Sequence, residues 1–113
     1  MLSNVGYNVT FAPATAYYLD IAQSHGWHEP GASWAGMTPV QATYETEPSD
    51  WVGQAEKLAG VQACIWSETL VSKAIFNHQV FPRLCAVAET GWSQPGARHW
   101  PRFAALSAHF PRL

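Results

Sequence analysis

The chain has 113 residues, of which 48% are hydrophobic and only 12% charged, and its net charge is −2. Soluble domains contain about 25% charged residues, so this composition indicates either a membrane protein or a segment from the interior of a larger fold. No apolar run approaches the roughly 18 residues needed for a membrane-spanning helix, and no basic stripe suggests a nucleic-acid partner. We therefore expect a segment of a larger fold. No secretory signal is visible, so the localisation stays unknown.

The first half of the chain predicts a strand, an ambiguous segment, a loop and a short helix, at residues 7–12, 15–24, 25–37 and 39–45. Alternating and β-branched residues favour the strand, which Pro13 ends. The second segment fits a helical turn or an extended chain, and the loop holds four glycines or prolines. Thr38 matches an N-cap, followed by Pro39 at the first helical position.

The second half predicts a helical turn, a strand, a polar turn and three helical segments, at residues 54–58, 61–66, 67–69, 70–77, 82–89 and 98–110. Gly60 precedes the strand, and Gly91 is predicted to stop the second of these helices. Strands that alternate with helices favour parallel pairing and an α/β fold. A parallel sheet is covered on both faces. Two strands cannot provide that cover, so we expect the chain to lack structural partners.

Polar and aromatic residues follow both predicted strands, where α/β barrels place their working residues. Tyr18, Asp20 and Trp34 follow the first strand, and Trp66 and Glu68 follow the second. Indole faces can cover the apolar C–H face of a sugar, while carboxylates accept short hydrogen bonds from its hydroxyls. This set is compatible with a carbohydrate pocket. It is also compatible with surface or capping carboxylates, core indoles and a tyrosine bonded within the fold.

Five groups of residues occur in order along the chain: Tyr18-Leu19-Asp20, Ser33-Trp34-Ala35-Gly36, Gly60-Val61-Gln62-Ala63, Ile65-Trp66-Ser67-Glu68, and Phe81-Pro82-Arg83-Leu84 with Ala88-Glu89-Thr90-Gly91-Trp92. At this spacing they resemble the end of the catalytic domain of family 20 glycoside hydrolases, the β-N-acetylhexosaminidases. The resemblance runs from about Val5 to Leu113. It implies that residues 1–113 are the C-terminal third of a (β/α)₈ TIM barrel, which needs about 250 residues in all. The strands near Tyr7 and Val61 would be the seventh and eighth.

The resemblance also implies a reaction, the hydrolysis of terminal non-reducing N-acetylhexosamines without metal or organic cofactor. In this family the substrate's N-acetyl oxygen attacks the anomeric carbon, which departs from the usual two-carboxylate scheme. An Asp-Glu pair after the fourth strand orients the acetamido nitrogen and supplies the general acid. The sequence contains no Asp-Glu dipeptide. We therefore expect the parent to be an enzyme and the isolated chain to be inactive.

The resemblance assigns one role to each of the five candidate residues. Tyr18 would bind the acetamido oxygen, and its Tyr-x-Asp spacing distinguishes it from the adjacent tyrosine. Asp20 would hold ring hydroxyls, and Trp34 would form a wall of the acetamido pocket. Trp66 would lie under the sugar ring, and Glu68 would bind the O4 and O6 side. The implied partners are β-linked N-acetylglucosamine or N-acetylgalactosamine glycans and the remainder of the barrel.

Other residues are predicted to be structural. We expect pairing or capping for Arg83 and Glu89, and small buried side chains for Cys64 and Cys85, with a disulfide left open. The residues predicted to pack the final helices onto the barrel are Trp92, Trp100 and Phe103. His25 and His28 are close in sequence but have no evident third ligand, so no metal site is expected.

Three other interpretations remain at this level. A non-catalytic carbohydrate-binding module would keep the aromatic pocket and bind sugar without turnover. A structural or interaction fragment would have no sugar affinity, and its apolar faces would drive self-association. A different barrel glycosidase is the third interpretation, and the pairing of Tyr-x-Asp with Trp-x-Glu argues against it.

Overall fold

The computed structural model describes residues 2–110. Two strands and five α-helices occur in this range: β1 (Val9–Phe11), α1 (Ala14–Tyr17), α2 (Val40–Glu45), β2 (Leu58–Val61), α3 (Lys73–Val80), α4 (Arg83–Trp92) and α5 (Trp100–Ser107). Short 3₁₀ helices lie at Leu2–Val5, Pro48–Asp50 and Ala55–Lys57. Within residues 2–110, no helix combines the length and apolar character needed to cross a membrane.

The two strands form a parallel pair, as predicted from their alternation with helices. The register joins Val9 to Leu58, Thr10 to Gly60 and Phe11 to Val61. Beyond the strands the pairing continues through single hydrogen bonds, because the Cys64 amide donates to the Tyr17 carbonyl and the Leu19 amide donates to the Cys64 carbonyl. Parallel pairing therefore brings the two strand exits to the same edge of the sheet.

The second strand lies earlier in the chain than predicted. Residues 61–66 were expected to form it, but β2 spans Leu58–Val61. Gly60 does not precede the strand; it lies inside it, opposite Thr10. Leu58 and Val61 pack against the first buried apolar cluster. The position of β2 is therefore determined by the residues that pack in this cluster, and not by the apolar residues that follow Val61. The first strand is also shorter than residues 7–12.

Two apolar clusters hold the fold together, one between the sheet and helices and one among helices. The first joins β1, α1 and α4 through the buried residues Phe11, Ala16, Tyr17, Val52 and Val87. In the second, Phe103 stacks on Tyr44 with ring centroids 4.5 Å apart, and Trp100 lies 5.6 Å from the same ring. Phe103 and Trp100 therefore pack α5 against α2, as expected for residues that hold the final helix. Trp92 is 93% exposed among residues 2–110, beside an open apolar groove, so its packing onto the barrel stays a prediction.

Two predicted helix ends differ from the structure. Thr38 is not an N-cap, since α2 begins after Pro39 and the buried Thr38 hydroxyl donates to the Thr15 carbonyl at 3.0 Å. Gly91 does not stop α4, which continues to Trp92. A Cβ at Gly91 would lie 3.1 Å from a methyl carbon of Val61. The glycine therefore permits close packing of α4 on β2.

An ion pair between Arg98 and Glu47, 2.9 Å long, joins the segments that follow α4 and α2. Burial raises the pKa of Glu47, but hydrogen bonds from Arg98 and Ser49 outweigh it and hold the pKa below its usual 4.5. A carboxyl whose pKa is lowered by folding stabilises the fold above the unfolded pKa. That stabilisation is lost as the pH falls through the folded pKa.

Glu47→Gln is expected to lower the free energy of unfolding by roughly 1–2 kcal/mol at pH 7, because a charged hydrogen-bond acceptor is lost. The difference from wild type should shrink at pH 3, where Glu47 is protonated in the wild type as well. Urea denaturation at the two pH values measures both effects. Glu45→Gln, at an exposed carboxylate that accepts only from Gln41 among the described residues, is the control and should change little. An undiminished difference at pH 3 would contradict the prediction.

Candidate functional site

A pocket of about 410 Å³ opens where the two strand exits meet. Its lining residues are Tyr18, Asp20, Ala32, Trp34, Trp66, Glu68 and Thr69. All five residues predicted from the strand exits therefore line a single pocket, although they span 51 positions of the chain from 18 to 68. Ala32 and Thr69 were not predicted, because neither has a side chain that indicates binding on its own.

The pairing of Tyr18 with Cys64 positions both halves of the pocket. Tyr18 follows α1 in an extended conformation and forms a parallel bridge with Cys64. Trp66 and Glu68 come two and four residues after Cys64, so this bridge fixes their distance from Tyr18. Tyr17 instead points into the core, where its ring lies 5.5 Å from that of Phe11. The structure therefore places Tyr18, and not its neighbour, in the pocket.

A second parallel bridge returns the long loop to the pocket. Ile21 pairs with Ala32, the Ala32 amide donates to the Asp20 carbonyl at 2.8 Å, and the Ala22 amide donates to the Ala32 carbonyl at 2.8 Å. Trp34 lies two residues beyond this bridge. The predicted loop at 25–37 is confirmed as lacking helix or strand, and this bridge anchors its second half beside Asp20.

Three aromatic rings form the apolar part of the pocket. The Tyr18 ring lies 6.3 Å from that of Trp34 at 75° and 5.9 Å from that of Trp66 at 57°. Trp34 is 69% exposed and Trp66 50% exposed, so much of each indole can contact a ligand. Aromatic pairs at these distances hold one another in defined orientations. Neither tryptophan belongs to the buried clusters of residues 2–110, which favours a pocket role over the core alternative left open by the sequence.

The two carboxylates of the pocket differ in burial. Asp20 is only 4% exposed, and its Oδ1 has no hydrogen-bond partner among residues 2–110. Glu68 is exposed to solvent. The hydroxyl oxygen of Thr69 is also buried without a described partner. Buried polar atoms without partners are uncommon in folded proteins, so Asp20 is not the ordinary surface carboxylate that was one alternative.

Arg83 and Glu89 have structural contacts, as predicted, but with different partners. Glu89 accepts a hydrogen bond from Arg102 at 3.3 Å. Arg83 is fully buried and donates to main-chain carbonyls of residues that border the pocket, including Leu19 and Ile21. Burial lowers the pKa of Arg83 to about 10, against the opposing charges of Glu29 and Asp20, so the guanidinium is a cation at neutral pH.

The histidines and cysteines considered in the sequence analysis do not line this pocket: His25, His28, Cys64 and Cys85. No group of three His, Cys, Asp or Glu side chains in the described part of the chain could hold a metal ion. His78 contacts Glu29 at 2.8 Å on the protein surface. Cys64 and Cys85 are only partly buried, less so than predicted, and residues 2–110 contain no disulfide.

Comparison with known sequences identifies relatives across almost the whole chain. Residues 1–95 match the family model described as glycosyl hydrolase family 20, catalytic domain. The chain is 33% identical over 112 residues to the beta-N-acetylhexosaminidase of Cellulomonas fimi, which covers 96% of this chain and 22% of that protein. It is 36% identical over 102 residues to a beta-hexosaminidase of Akkermansia muciniphila, covering 87% and 20% respectively. The chain thus spans about a fifth of the length of these relatives.

Solved structures of hexosaminidases match the fold of the chain. The Streptomyces plicatus N-acetyl-β-hexosaminidase in complex with Thio-NAglucal superposes with a TM-score of 0.86 at 32% identity, over 95% of this chain and 22% of that one. The family 20 exo-β-N-acetylglucosaminidase of Vibrio harveyi, in complex with N-acetylglucosamine, gives a TM-score of 0.81 at 30% identity, over 91% and 17%. The chain therefore corresponds to part of a TIM-barrel catalytic domain. Sequence and structure agree that this chain belongs to glycosyl hydrolase family 20.

Proposed function

We propose that the chain is the C-terminal third of a β-N-acetylhexosaminidase barrel, including its seventh and eighth strands, and supplies one side of the sugar pocket. The substrates would be β-linked glycans that end in N-acetylglucosamine or N-acetylgalactosamine. The observation that supports this most directly is the pocket itself, in which all five candidate residues meet. Relatives named as hexosaminidases match over most of the chain, which supports the same conclusion.

The pocket offers each part of an N-acetylhexosamine a complementary surface. The exposed indole of Trp66 would lie under the C–H face of the ring, and that of Trp34 would border the methyl group of the acetamide. The buried Asp20 would accept from ring hydroxyls, which would provide the missing partner of its Oδ1. The exposed Glu68 would accept from the hydroxyls on the O4 and O6 side. Hydroxyl-to-carboxylate bonds are charge-assisted and relatively strong.

Tyr18 would contribute to the reaction and not only to binding. Its ring lies near both indoles, 6.3 Å from that of Trp34 and 5.9 Å from that of Trp66, and its hydroxyl would meet the acetamido group held by Trp34. In substrate-assisted hydrolysis the acetamido oxygen attacks the anomeric carbon and the glycosidic bond breaks. A hydrogen bond from Tyr18 would orient that oxygen for attack. The general acid and the carboxylate that orients the acetamido nitrogen would come from an Asp-Glu pair outside this sequence.

The isolated chain is expected to release no product from a chromogenic N-acetylglucosaminide, because no Asp-Glu dipeptide supplies the acid. The assay should then be repeated with a chimaera, in which the chain replaces the corresponding segment of the Streptomyces plicatus enzyme that it matches at a TM-score of 0.86. Turnover is expected to appear in the chimaera. Glu68→Ala should lower both substrate affinity and turnover there.

Two results would contradict this proposal. Turnover by the isolated chain that Glu68→Ala abolishes would show that the acid lies within these 113 residues. A chimaera that folds with the thermal transition of the Streptomyces plicatus enzyme, yet neither binds nor hydrolyses the substrate, would show that the pocket does not accept this sugar. Binding without turnover in the chimaera would favour the non-catalytic carbohydrate-binding alternative.

A further inference from the structure

The guanidinium of Arg83 is saturated by main-chain oxygens. Its Nε donates to the Gln79 carbonyl at 3.0 Å, and one terminal nitrogen donates to the carbonyls of Ile21 at 2.8 Å and Thr38 at 3.2 Å. The other terminal nitrogen donates to the carbonyls of Leu19 and Gln79. Arginine has five N–H donors, and five hydrogen bonds account for all of them.

These bonds hold the main chain on both sides of Asp20. The carbonyls of Leu19 and Ile21, its two neighbours, bind the guanidinium. The carbonyl of Asp20 itself accepts from the Gln79 side chain at 3.3 Å and from the Ala32 amide at 2.8 Å. Three consecutive carbonyls are therefore fixed by side chains and main chain from elsewhere in the fold. This arrangement fixes the main chain that carries the Asp20 side chain.

The carboxylate of Asp20 is left available by the same arrangement. Arg83 interacts with Asp20 through space, since the charge of Asp20 opposes the lowering of the Arg83 pKa. It makes no direct ion pair with it, because its donors are all directed at carbonyls. A direct buried ion pair would have occupied the carboxylate oxygens. Oδ1 of Asp20 instead stays without a partner in the described part of the chain and lies at the pocket.

We propose that Arg83, assisted by Gln79, is a positioning residue that fixes Asp20 in the pocket and supports ligand binding through it. The identity of the ligand rests on the proposed function, whereas the fixing of Asp20 does not. A purely structural arginine would stabilise the fold without any energetic link to Asp20. The proposal therefore requires coupling between the two residues, which can be measured.

The first test is amide hydrogen exchange in the 113-residue chain. Arg83→Lys keeps the charge but has three donors for the five bonds. Exchange at the Ala22 and Ala32 amides should rise roughly tenfold or more relative to the Phe103 amide in α5. Arg98→Lys is the matched control. Arg98 also donates to main-chain carbonyls, those of Tyr44 and Thr46, but lies outside the pocket. No selective change at Ala22 and Ala32 would overturn the proposal.

The second test is a double-mutant cycle on the affinity for N-acetylglucosamine, measured by calorimetry in the chimaera with the Streptomyces plicatus enzyme, which completes the pocket. Arg83→Lys is expected to weaken binding roughly tenfold in the wild-type background and to have little effect in the Asp20→Asn background. Arg98→Lys should leave the affinity unchanged in both. Equal losses in the two backgrounds would mean that Arg83 acts independently of Asp20, which would overturn the proposal.

A second variant keeps the proposal testable if Arg83→Lys does not fold. Gln79→Met removes the side-chain donor to Asp20 but retains the main-chain oxygen that binds Arg83. It should shift exchange at the Ala32 amide and weaken binding in the same Asp20-dependent way, by a smaller factor. If the wild-type chimaera folds but binds no N-acetylglucosamine, the proposed sugar-binding role is contradicted. Hydrogen exchange then still decides whether Arg83 fixes Asp20.

Discussion

Gly31→Ala is expected to lower the free energy of unfolding by roughly 3–5 kcal/mol, the sum of backbone strain and overpacking. Gly31 has a φ of +118°, a conformation that side chains with a Cβ rarely adopt. The added carbon would lie 2.6 Å from the Gln79 amide nitrogen and 2.8 Å from the Ala22 nitrogen and the Asp20 carbonyl oxygen. Two of these three atoms belong to the main chain and cannot move independently. The substitution should therefore also disturb Asp20 and weaken sugar binding.

A second glycine of the same loop separates the two contributions. Gly36 has a φ of +88°, but a Cβ there would meet no atom of residues 2–110 within 4 Å. Gly36→Ala should therefore cause only the strain, about 1–3 kcal/mol. Chemical denaturation of both variants measures the difference, and calorimetry of the corresponding chimaeras with N-acetylglucosamine measures binding. Equal losses of stability in the two variants would contradict the close contact at Gly31.

Tyr18→Phe in the chimaera with the Streptomyces plicatus enzyme is expected to lower kcat by roughly 10²–10³-fold with little change in KM. Removing one preorganised hydrogen-bond donor at a reacting oxygen has effects of this size. The phenylalanine ring would keep the aromatic contacts with Trp34 and Trp66, so binding of the substrate should survive. Loss of kcat without loss of affinity is typical of an interaction that strengthens in the transition state.

Two further variants distinguish a role of Tyr18 in the reaction from a role in substrate binding. Tyr7→Phe removes a hydroxyl from a tyrosine that is 63% exposed and lies outside the pocket, and it should change neither constant. Glu68→Ala should raise KM and lower kcat together, because loss of its bonds to sugar hydroxyls weakens binding and leaves the sugar less well oriented for the reaction. A Tyr18→Phe enzyme with an unchanged kcat and a raised KM would assign Tyr18 to binding alone.

The members of the pocket could be predicted from sequence because they follow strands. A parallel pair places both strand exits at one edge, so Asp20 and Glu68 had to lie on the same side of the sheet. That argument survived a misplaced second strand, because the chain beyond Val61 is still tied to β1 and α1 through Gln62 and Cys64. The roles of the individual residues toward a sugar remain predictions that follow from the family.

The features that could not be predicted depend on contacts distant in sequence. Thr38 and Pro39 form a sound local N-cap pattern, but the Thr15 carbonyl, 23 residues away, takes the threonine hydroxyl instead. Gly91 has the sequence pattern of a helix stop, but in the structure its missing side chain allows Val61 to pack closely against α4. Local patterns describe what an isolated segment prefers, and tertiary packing overrides that preference at such positions.

The contacts of Arg83 near the pocket also could not be predicted, because they too join residues distant in sequence. Sequence reasoning gave it a structural role, pairing or capping, since it lies in a predicted helix six residues before Glu89. Three of its acceptors are carbonyls 45 to 64 residues away, and carbonyls have no signature in a sequence. The only signal that could have suggested its importance is that arginine is almost never fully buried unless its donors are paired.

The saturation of Arg83 by carbonyls has a consequence for divergence among related sequences. Every amino acid, proline included, provides a main-chain carbonyl, so the acceptors at positions 19, 21, 38 and 79 persist whatever side chains occupy them. Substitution of these side chains therefore cannot directly remove the carbonyl oxygens that bind Arg83. Related proteins can change the residues that line the pocket, and with them the preferred ligand, while keeping the hydrogen bonds from Arg83 to the main chain.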